Sequence, residues 1–286
     1  MAENLIGVIG GSGLYNMEGF DLVEEKKVST PFGEPSDKII IGKLGSKQVA
    51  FLPRHGRGHK YSPSVINYRA NICALKMLGV QQIISVSAVG SLKEGIAPGD
   101  LVIVDQFIDR TRSRANTFFD GGIVAHISFA HPVCERLAAV VYDSAKELGI
   151  KTHKKGTYLC MEGPQFSTKA ESFLHKNLGA DLIGMTNATE AKLVREAEIC
   201  YSTIALSTDY DCWKDDEHVN VKAILETMKK NVSNAQKVIR TTIEKMSEKR
   251  DCACANALMG AIMTDKKMIS EDIRKRMEPI AGKYFR

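Results

Sequence analysis

Short apolar runs alternate with amphipathic stretches along most of this chain, and this alternation predicts its secondary structure. Runs rich in β-branched residues and bounded by glycine, proline or polar residues indicate strands. They occupy residues 5–9, 38–44, 48–53, 82–87, 101–104, 156–161, 182–185 and 200–206. Because helical stretches lie between many of these runs, the sequence predicts an α/β fold with a mixed or largely parallel central β-sheet flanked by helices.

Two helices are predicted where apolar residues recur at every third or fourth position. The first apolar face contains Val65, Tyr68, Ile72, Leu75 and Leu78, and the second contains Leu137, Val140, Val141 and Leu148. A third helix is predicted near Thr168, because Thr168 and Glu171 have the spacing of a capping box.

No linker and no internal repeat divides the chain, so we predict a single domain over residues 1–286. The composition changes after about residue 247, where charged and Met-rich segments predict C-terminal helices. We expect this tail to pack on the main domain or on a neighbouring subunit.

Composition and charge limit the classes of function. The chain has 44% hydrophobic and 26% charged residues, and no apolar run approaches the ~18 residues that a membrane span needs. The N-terminus lacks the pattern of a secretory leader, so we expect a cytoplasmic protein without a membrane partner. A net charge of +5 without a basic, aromatic-rich stripe argues against binding to nucleic acid and is compatible with an anionic substrate.

The cysteines do not form the pattern of a secreted disulfide framework, since there are seven of them spread over a long chain. Cys252 and Cys254 stand apart, because their spacing is compatible with a disulfide, a redox element or a metal site. Zinc is disfavoured, since no second Cys/His pair follows at zinc-like spacing. A disulfide remains an open alternative, since intracellular disulfides do occur in proteins of hyperthermophiles.

Three predicted strands end in small residues and in donors that suit a phosphate group. "GVIGGSGLY" contains Ser12 among glycines, "LPRHGRGHKYSP" contains Arg54 and His55, and "ISVSAVGSL" contains Ser87. In α/β folds ligands bind outside the carboxyl ends of the strands, so these loops predict an anion site. Each loop taken alone is also typical of an ordinary tight turn or a solvated surface.

Two cofactor motifs are disfavoured at these loops. A dinucleotide-binding fingerprint needs a further glycine where the first loop has Asn16. The same loop lacks the Lys-Ser/Thr pair of a P-loop, which binds nucleoside triphosphates. His55 and His59 have the spacing of two zinc ligands on a helix, but Gly56 and Gly58 make a helix improbable there.

The segment "STDYDCW" adds two carboxylates, Asp209 and Asp211, directly after an apolar strand. Alternate residues of a strand point the same way, so both acids face one side if the strand continues. Two such neighbours raise each other's pKa and favour a shared proton. The alternative is that Ser207, Thr208 or Asp209 caps the next helix.

These segments, together with "EGPQFST" and "GMTNATEA", resemble the trimeric purine nucleoside phosphorylase family from about residue 4 to about residue 242. Within it, they are most similar to the branch that acts on S-methyl-5'-thioadenosine. The resemblance implies a phosphorylase-type fold and a pentosyl transfer of purine and methionine salvage. Inorganic phosphate cleaves the nucleoside to adenine and 5-methylthioribose 1-phosphate, and no metal or organic cofactor is needed.

The resemblance also implies a role for particular residues. Phosphate is expected at Ser12, Arg54, His55, Ser87, Ala88 and Thr186. The nucleoside is expected at Phe166, Ser167, Met185, Asp209, Tyr210, Asp211, Val221, Ile224 and Leu225. His126 is expected to reach the sugar bound by a neighbouring subunit, which implies a homotrimer or a dimer of trimers.

Catalysis and specificity follow from these roles. Asp209 would donate a proton to N7 of the departing purine, and Asp211 would position or tune it. Ser167 and Asp209 replace the Glu and Asn of relatives that use 6-oxopurines, and Val221 favours a methylthio group over a hydroxyl. The alternatives are a 6-oxopurine or methylthioinosine phosphorylase, a nucleosidase that uses water, and a nucleotide-binding module without catalysis.

Overall fold

The structure is a computed structural model, which describes residues 5–11, 13–214 and 221–285; the side chains of residues 221–225 lie outside this description. Its strands are β1 (Ile6–Gly10), β2 (Phe20–Lys26), β3 (Ile39–Leu44), β4 (Lys47–Pro53), β5 (Gln82–Ser91), β6 (Leu101–Val104), β7 (Gln106–Asp109), β8 (Thr152–His153), β9 (Thr157–Cys160), β10 (Leu182–Gly184) and β11 (Cys200–Asp209). Its α-helices are α1 (Tyr68–Met77), α2 (Glu135–Glu147), α3 (Lys169–Asn177), α4 (Asn187–Glu196), α5 (Val221–Lys245) and α6 (Glu271–Ala281).

All of these strands belong to one mixed sheet, as the sequence predicts. Its main path is β2-β3-β4-β1-β5-β10-β9-β7, and β11 pairs with both β5 and β6. The pairs β4–β1, β1–β5 and β5–β11 are parallel, whereas β10 runs antiparallel to β5. The carboxyl ends of β4, β1, β5 and β11 therefore lie at one edge of the sheet.

Three strands were not predicted, because none of them produces a long apolar run. β2 lies at the end of the sheet path and is exposed along nearly its whole length. β7 is only half-buried, and β8 contains two residues. The eight predicted strands are present, with ends shifted by a few residues.

The predicted helices form, with changes at their ends. Val65 precedes α1 and is exposed, because α1 begins only at Tyr68. Leu148 follows the last turn of α2 and is also exposed. The capping box at the start of α3 is confirmed: the Thr168 hydroxyl accepts from the Glu171 backbone, and the Glu171 carboxylate accepts from the Thr168 backbone.

Two apolar layers cover the two faces of the sheet. Neighbouring strand residues point to opposite faces, so Ile9 packs in the layer of α1, α4 and α6, and Val8 in the layer of α2 and α5. Met277 and Ile280 of α6 are buried in the first layer, so this part of the tail packs against the main domain. Within the described ranges, no helix is both long and apolar enough to cross a membrane.

Candidate active site

The predicted anion loops meet at the carboxyl edge of the sheet. Gly10 at the end of β1 pairs with Pro53 at the end of β4, and the Arg54 backbone N–H donates to the Gly10 carbonyl at 2.9 Å. The Arg54 guanidinium reaches across to β5, where Nη1 donates to the Val86 carbonyl at 2.9 Å. Ser12, the remaining residue expected in these loops, lies outside the described residues.

Arg54 is buried, with 3% of its surface exposed, and it forms an ion pair with Glu190 of α4. Nε and Nη2 donate to the two carboxylate oxygens, and Nη2 also donates to Ser85 Oγ at 2.7 Å. Although burial opposes the charge, Glu190 raises the pKa of Arg54. Of the five guanidinium N–H groups, four donate within the described part of the chain, and one on Nη1 makes no bond there.

His55 follows Arg54 and is neutral. Its Nδ1 donates to the Tyr61 carbonyl at 2.9 Å, since a carbonyl oxygen can only accept. Burial and the charge of Arg54 lower the pKa of His55 to about 4, which leaves Nε2 with a lone pair. The predicted second donor is therefore an acceptor in the free protein. The ring stacks on His59, with centroids 4.1 Å apart, in a turn rather than a helix, so the zinc spacing is not realised here.

Ser87 and Thr186 are joined through Tyr158, a buried residue of β9. The Tyr158 hydroxyl lies 3.4 Å from Ser87 Oγ and accepts from the Thr186 backbone N–H at 3.3 Å. A Cβ on Gly184 would lie 2.1 Å from this hydroxyl, so glycine at that position is required by Tyr158. Ala88, next to Ser87, is exposed at this edge.

The two acids lie together, but not in the predicted extended geometry. A bulge separates Ser207 from Asp209, and Asp211 has a positive φ of 53°, so the chain turns after Asp209. The Asp211 backbone N–H donates to Asp209 Oδ1 at 2.8 Å, and Thr208 Oγ1 donates to Asp209 Oδ2 at 2.7 Å. The helix-capping alternative is wrong for the described chain, because the next helix there begins at Val221.

Burial and a neighbouring charge both act on Asp211. Burial raises the pKa of Asp211, and the negative charge of Asp209 adds to the shift. The Ser172 hydroxyl of α3 donates to the Asp211 carboxylate. Asp211 therefore holds a proton more readily than an exposed aspartate does.

The segment with Phe166 and Ser167 borders this acid turn. Cys212 donates its S–H to the Ser167 carbonyl at 3.3 Å, which joins the two segments. Phe166 is 82% exposed and is available as an apolar face for a ring. Tyr210 is buried, and its hydroxyl donates to the Glu94 carbonyl at 3.2 Å, so this hydroxyl is already bonded within the protein.

A second ion pair, Arg114–Glu162, holds the segment next to Met185. Arg114 Nε donates to Glu162 Oε1 at 3.1 Å, and its other nitrogens donate to the Glu162 and Met185 carbonyls. Although burial opposes ionisation, the Ser64 hydroxyl and the backbone N–H groups of Arg112 and the next residue lower the pKa of Glu162 to about 2.

Sequence reasoning missed Glu162, Glu190 and Arg114. The two glutamates stand inside the quoted segments "EGPQFST" and "GMTNATEA", so a carboxylate within each motif was a usable signal. Arg114 lies in a polar stretch and offered none. The other untested positions stay predictions: His126 is exposed, and the side chains of Val221, Ile224 and Leu225 lie outside the described residues.

Comparisons with known proteins decide the family. The sequence pattern of the Phosphorylase superfamily matches residues 5–244. The chain belongs to this superfamily. It is 55% identical to the S-methyl-5'-thioadenosine phosphorylase of Geobacter sulfurreducens, over 99% of both chains. The phosphorylase family predicted from the motifs is confirmed.

Solved phosphorylase structures agree with this fold. A methylthioadenosine phosphorylase from an Antarctic soil metagenomic library superposes with a TM-score of 0.94 at 46% identity, covering 98% of this chain and 99% of the other. The methylthioadenosine phosphorylase of Schistosoma mansoni, in complex with adenine, gives a TM-score of 0.86 at 36% identity, covering 91% and 99%. This phosphorylase therefore has the α/β fold and central mixed sheet that its sequence predicts.

Proposed function

We propose that this phosphorylase cleaves S-methyl-5'-thioadenosine with inorganic phosphate to give adenine and 5-methylthioribose 1-phosphate. The observation that carries the proposal is the placement of two kinds of group along β5. Ser87 borders the anion loops, whereas Gly90 lies against Asp209. A Cβ placed on Gly90 would lie 3.2 Å from Asp209 Oδ1. The residues between them span about 10 Å, which suits a ribose between a phosphate and a purine.

The reaction needs an anion on one side of the sugar and a proton on the other. A phosphate oxygen forms a bond to C1' while the bond from C1' to the purine nitrogen breaks. The electron pair of the broken bond moves into the purine. The purine takes a proton at N7 from the pair Asp209 and Asp211. The anionic phosphate stabilises the positive charge that develops on the sugar, so no carboxylate is needed there.

The phosphate would be held mainly by backbone and hydroxyl groups. Ser87, Thr186 and the backbone at Ala88 lie at the edge of the sheet and would donate hydrogen bonds to the phosphate. Arg54 would donate its unbonded Nη1–H. His55 would accept the proton of a hydrogen phosphate through Nε2, because its own N–H is bonded to Tyr61. Arg54 has a second role here, since its ion pair with Glu190 fixes the positions of β4, β5 and α4.

Specificity for adenine and for a methylthio group belongs to the same proposal. A carboxyl oxygen of Asp209 accepts a hydrogen bond from the adenine amino group, whereas a 6-oxo group would place acceptor against acceptor at an unprotonated oxygen. Ser167 leaves room where 6-oxopurine enzymes carry Glu, and Val221 would contact the methylthio group. The name of the Geobacter sulfurreducens relative and the adenine complex of the Schistosoma mansoni protein support this choice.

A shared active site is also proposed. His126 is exposed and lies beside the tail, where its backbone N–H donates to the Ala261 carbonyl at 2.9 Å. In a homotrimer, or a dimer of trimers, this residue would contact the sugar bound by the adjacent subunit.

The first experiment measures adenine release from S-methyl-5'-thioadenosine with and without inorganic phosphate. A phosphorylase releases adenine only with phosphate and forms the sugar phosphate in equal amount. Release without phosphate would indicate a nucleosidase, and unchanged nucleoside bound to the protein would indicate a binding module. Asp143→Asn, an exposed acid of α2, serves as the matched control for variants of Asp209.

The closest alternative substrate is methylthioinosine, and one observation favours it. The raised pKa of Asp211 allows a protonated acid near the purine, and a protonated acid can donate to a 6-oxo group. Comparing kcat/KM for the two nucleosides decides between them. A preference for methylthioinosine would overturn the assignment of Asp209 as the acceptor for the adenine amino group.

A further inference from the structure

We propose that Cys134, Cys200, Cys252 and Cys254 form a closed tetrahedral site for a divalent transition metal, with zinc as the preferred ion. The four sulfur atoms all lie within 4.8 Å of one another. No residue of the anion loops or of the acid turn belongs to this cluster, so the site is separate from the proposed reaction.

The sulfur positions fit a thiolate-bound metal. Cys252 Sγ lies 3.4 Å from Cys200 Sγ and 3.8 Å from Cys134 Sγ. A tetrahedral zinc with bonds of about 2.3 Å requires sulfurs about 3.8 Å apart, whereas a disulfide requires about 2.0 Å. The observed distances correspond to ligands around a common centre, and a set of four sulfurs selects zinc or iron over harder ions.

The site is enclosed and draws on three parts of the fold. Cys134 precedes α2, Cys200 begins β11, and the other two lie in the tail, where Cys254 is part of a short helical turn at Ala253–Asn256. Cys134, Cys200 and Cys254 are buried, and Cys252 is partly buried. The Cys134 backbone N–H donates to the Tyr201 carbonyl at 2.8 Å, which fixes the first two ligands beside each other.

Positive charge surrounds the sulfurs. Arg195 Nη1 donates to Cys254 Sγ at 3.6 Å, and the guanidinium of Arg136 lies beside Cys200 and Cys252. Four thiolates around a divalent ion carry a net charge of −2, which is costly to bury unless cations lie nearby. The two arginines supply this compensation, although exposed Asp251, 3.5 Å from Arg136 Nε, offsets part of it.

The structure corrects the reason for disfavouring zinc. That reasoning required a second pair of ligands near Cys252 and Cys254 in the sequence, but the fold supplies Cys134 and Cys200 from distant positions. A metal there would attach the start of the tail to the sheet. The same tail holds the segment around His126, through bonds from Met263 N–H to the Val124 carbonyl and from the Val124 N–H to Thr264.

The first test is the metal content and thiol state of the whole protein. We expect about one zinc per chain after purification without chelators. The four thiols of the cluster should react with a thiol reagent only after the metal is removed. The mass of the denatured, metal-free chain, measured without a reducing agent, should include the thiol hydrogen of every cysteine. A mass that lacks the hydrogens of disulfide-bonded cysteines from this cluster would overturn the proposal.

Metal uptake tests the site directly. Metal-free protein kept under reducing conditions should bind added Zn²⁺, and Co²⁺ in its place should give the intense visible absorption of tetrahedral cobalt thiolate. Cys252→Ser should lower the bound metal several-fold, whereas Cys212→Ser, also partly buried but outside the cluster, should not. Cys252→His keeps a Cys₃His ligand set and should retain the metal with an altered cobalt spectrum.

Hydrogen exchange then checks the structural role without an activity assay. Removing the metal should speed exchange in the tail near Cys254 and in the segment around His126, with α1 unchanged. If fully reduced protein binds neither Zn²⁺ nor Co²⁺, the four cysteines are ordinary buried thiols and the proposal fails.

Discussion

The two ends of the active site differ in how far the protein satisfies its own charged groups. At the phosphate end, the side chains of Arg54 and Glu190 are 3% and 2% exposed and bond to each other and to neighbouring strands. At the purine end, Asp209 and Asp211 are only half-buried, share a turn, and stand beside the exposed ring of Phe166.

The difference separates structure from catalysis. A buried ion pair is assembled by folding, so the loss of either partner leaves an uncompensated charge in the core. A half-exposed acid turn contributes little to the core and changes its partners when a ligand arrives. We therefore expect mutations at the first end to lower stability and mutations at the second to lower the rate.

The largest effect is expected for Asp209→Asn. Loss of a general acid lowers kcat by about 10²- to 10⁴-fold, while thermal stability should stay near that of the parent enzyme. Asp211→Asn should retain more activity. A greater loss of kcat in Asp211→Asn would assign the donation to Asp211.

Glu190→Ala should lower the free energy of unfolding by about 3–5 kcal/mol, because it leaves the Arg54 charge buried without a partner. Urea denaturation followed by intrinsic protein fluorescence measures the change. The matched control is Glu147→Ala, which breaks an exposed pair with Lys245 and should cost less than about 1 kcal/mol. Similar losses in both variants would contradict the contrast between the two ends.

Glu162→Gln lies between these extremes. It keeps the shape of the side chain but removes the charge that accepts from Ser64, Arg112 and Arg114, at a cost of about 1–3 kcal/mol. Since Arg114 also holds the Met185 carbonyl, part of the loss should appear as a higher KM for the nucleoside. An unchanged KM would show that this ion pair supports the fold alone.

The smallest effect concerns pH and His55. Its pKa is about 4 in the folded protein and about 6.5 when unfolded, so only the unfolded chain binds the proton between these values. The contribution of neutral His55 to the free energy of unfolding should be fully present above about pH 6.5 and should be lost as the pH drops toward 4. His55→Asn should flatten that limb in denaturation curves recorded across this range. An unchanged slope would mean that His55 titrates normally.

Much of the fold and part of the site could be predicted from the sequence. Apolar runs located the eight central strands, because burial on both faces forces apolar residues into them. They could not locate β2, which is exposed, or the turn after Asp209, since Asp211 adopts its positive φ through a bond to a neighbouring carboxylate. The motifs identified the family and placed Arg54, Ser87 and Asp209 at strand ends.

What the sequence determined by itself was the class of fold, the family and the residue types at the edge of the sheet, because these depend on local pattern and short motifs. Only the packed fold shows that Glu190 neutralises Arg54, that His55 is neutral, and that burial raises the pKa of Asp211. Only it gathered four distant cysteines into one cluster. Charge, burial and ligand geometry depend on which residues meet in space, and that is fixed when the sheet and its helices pack together.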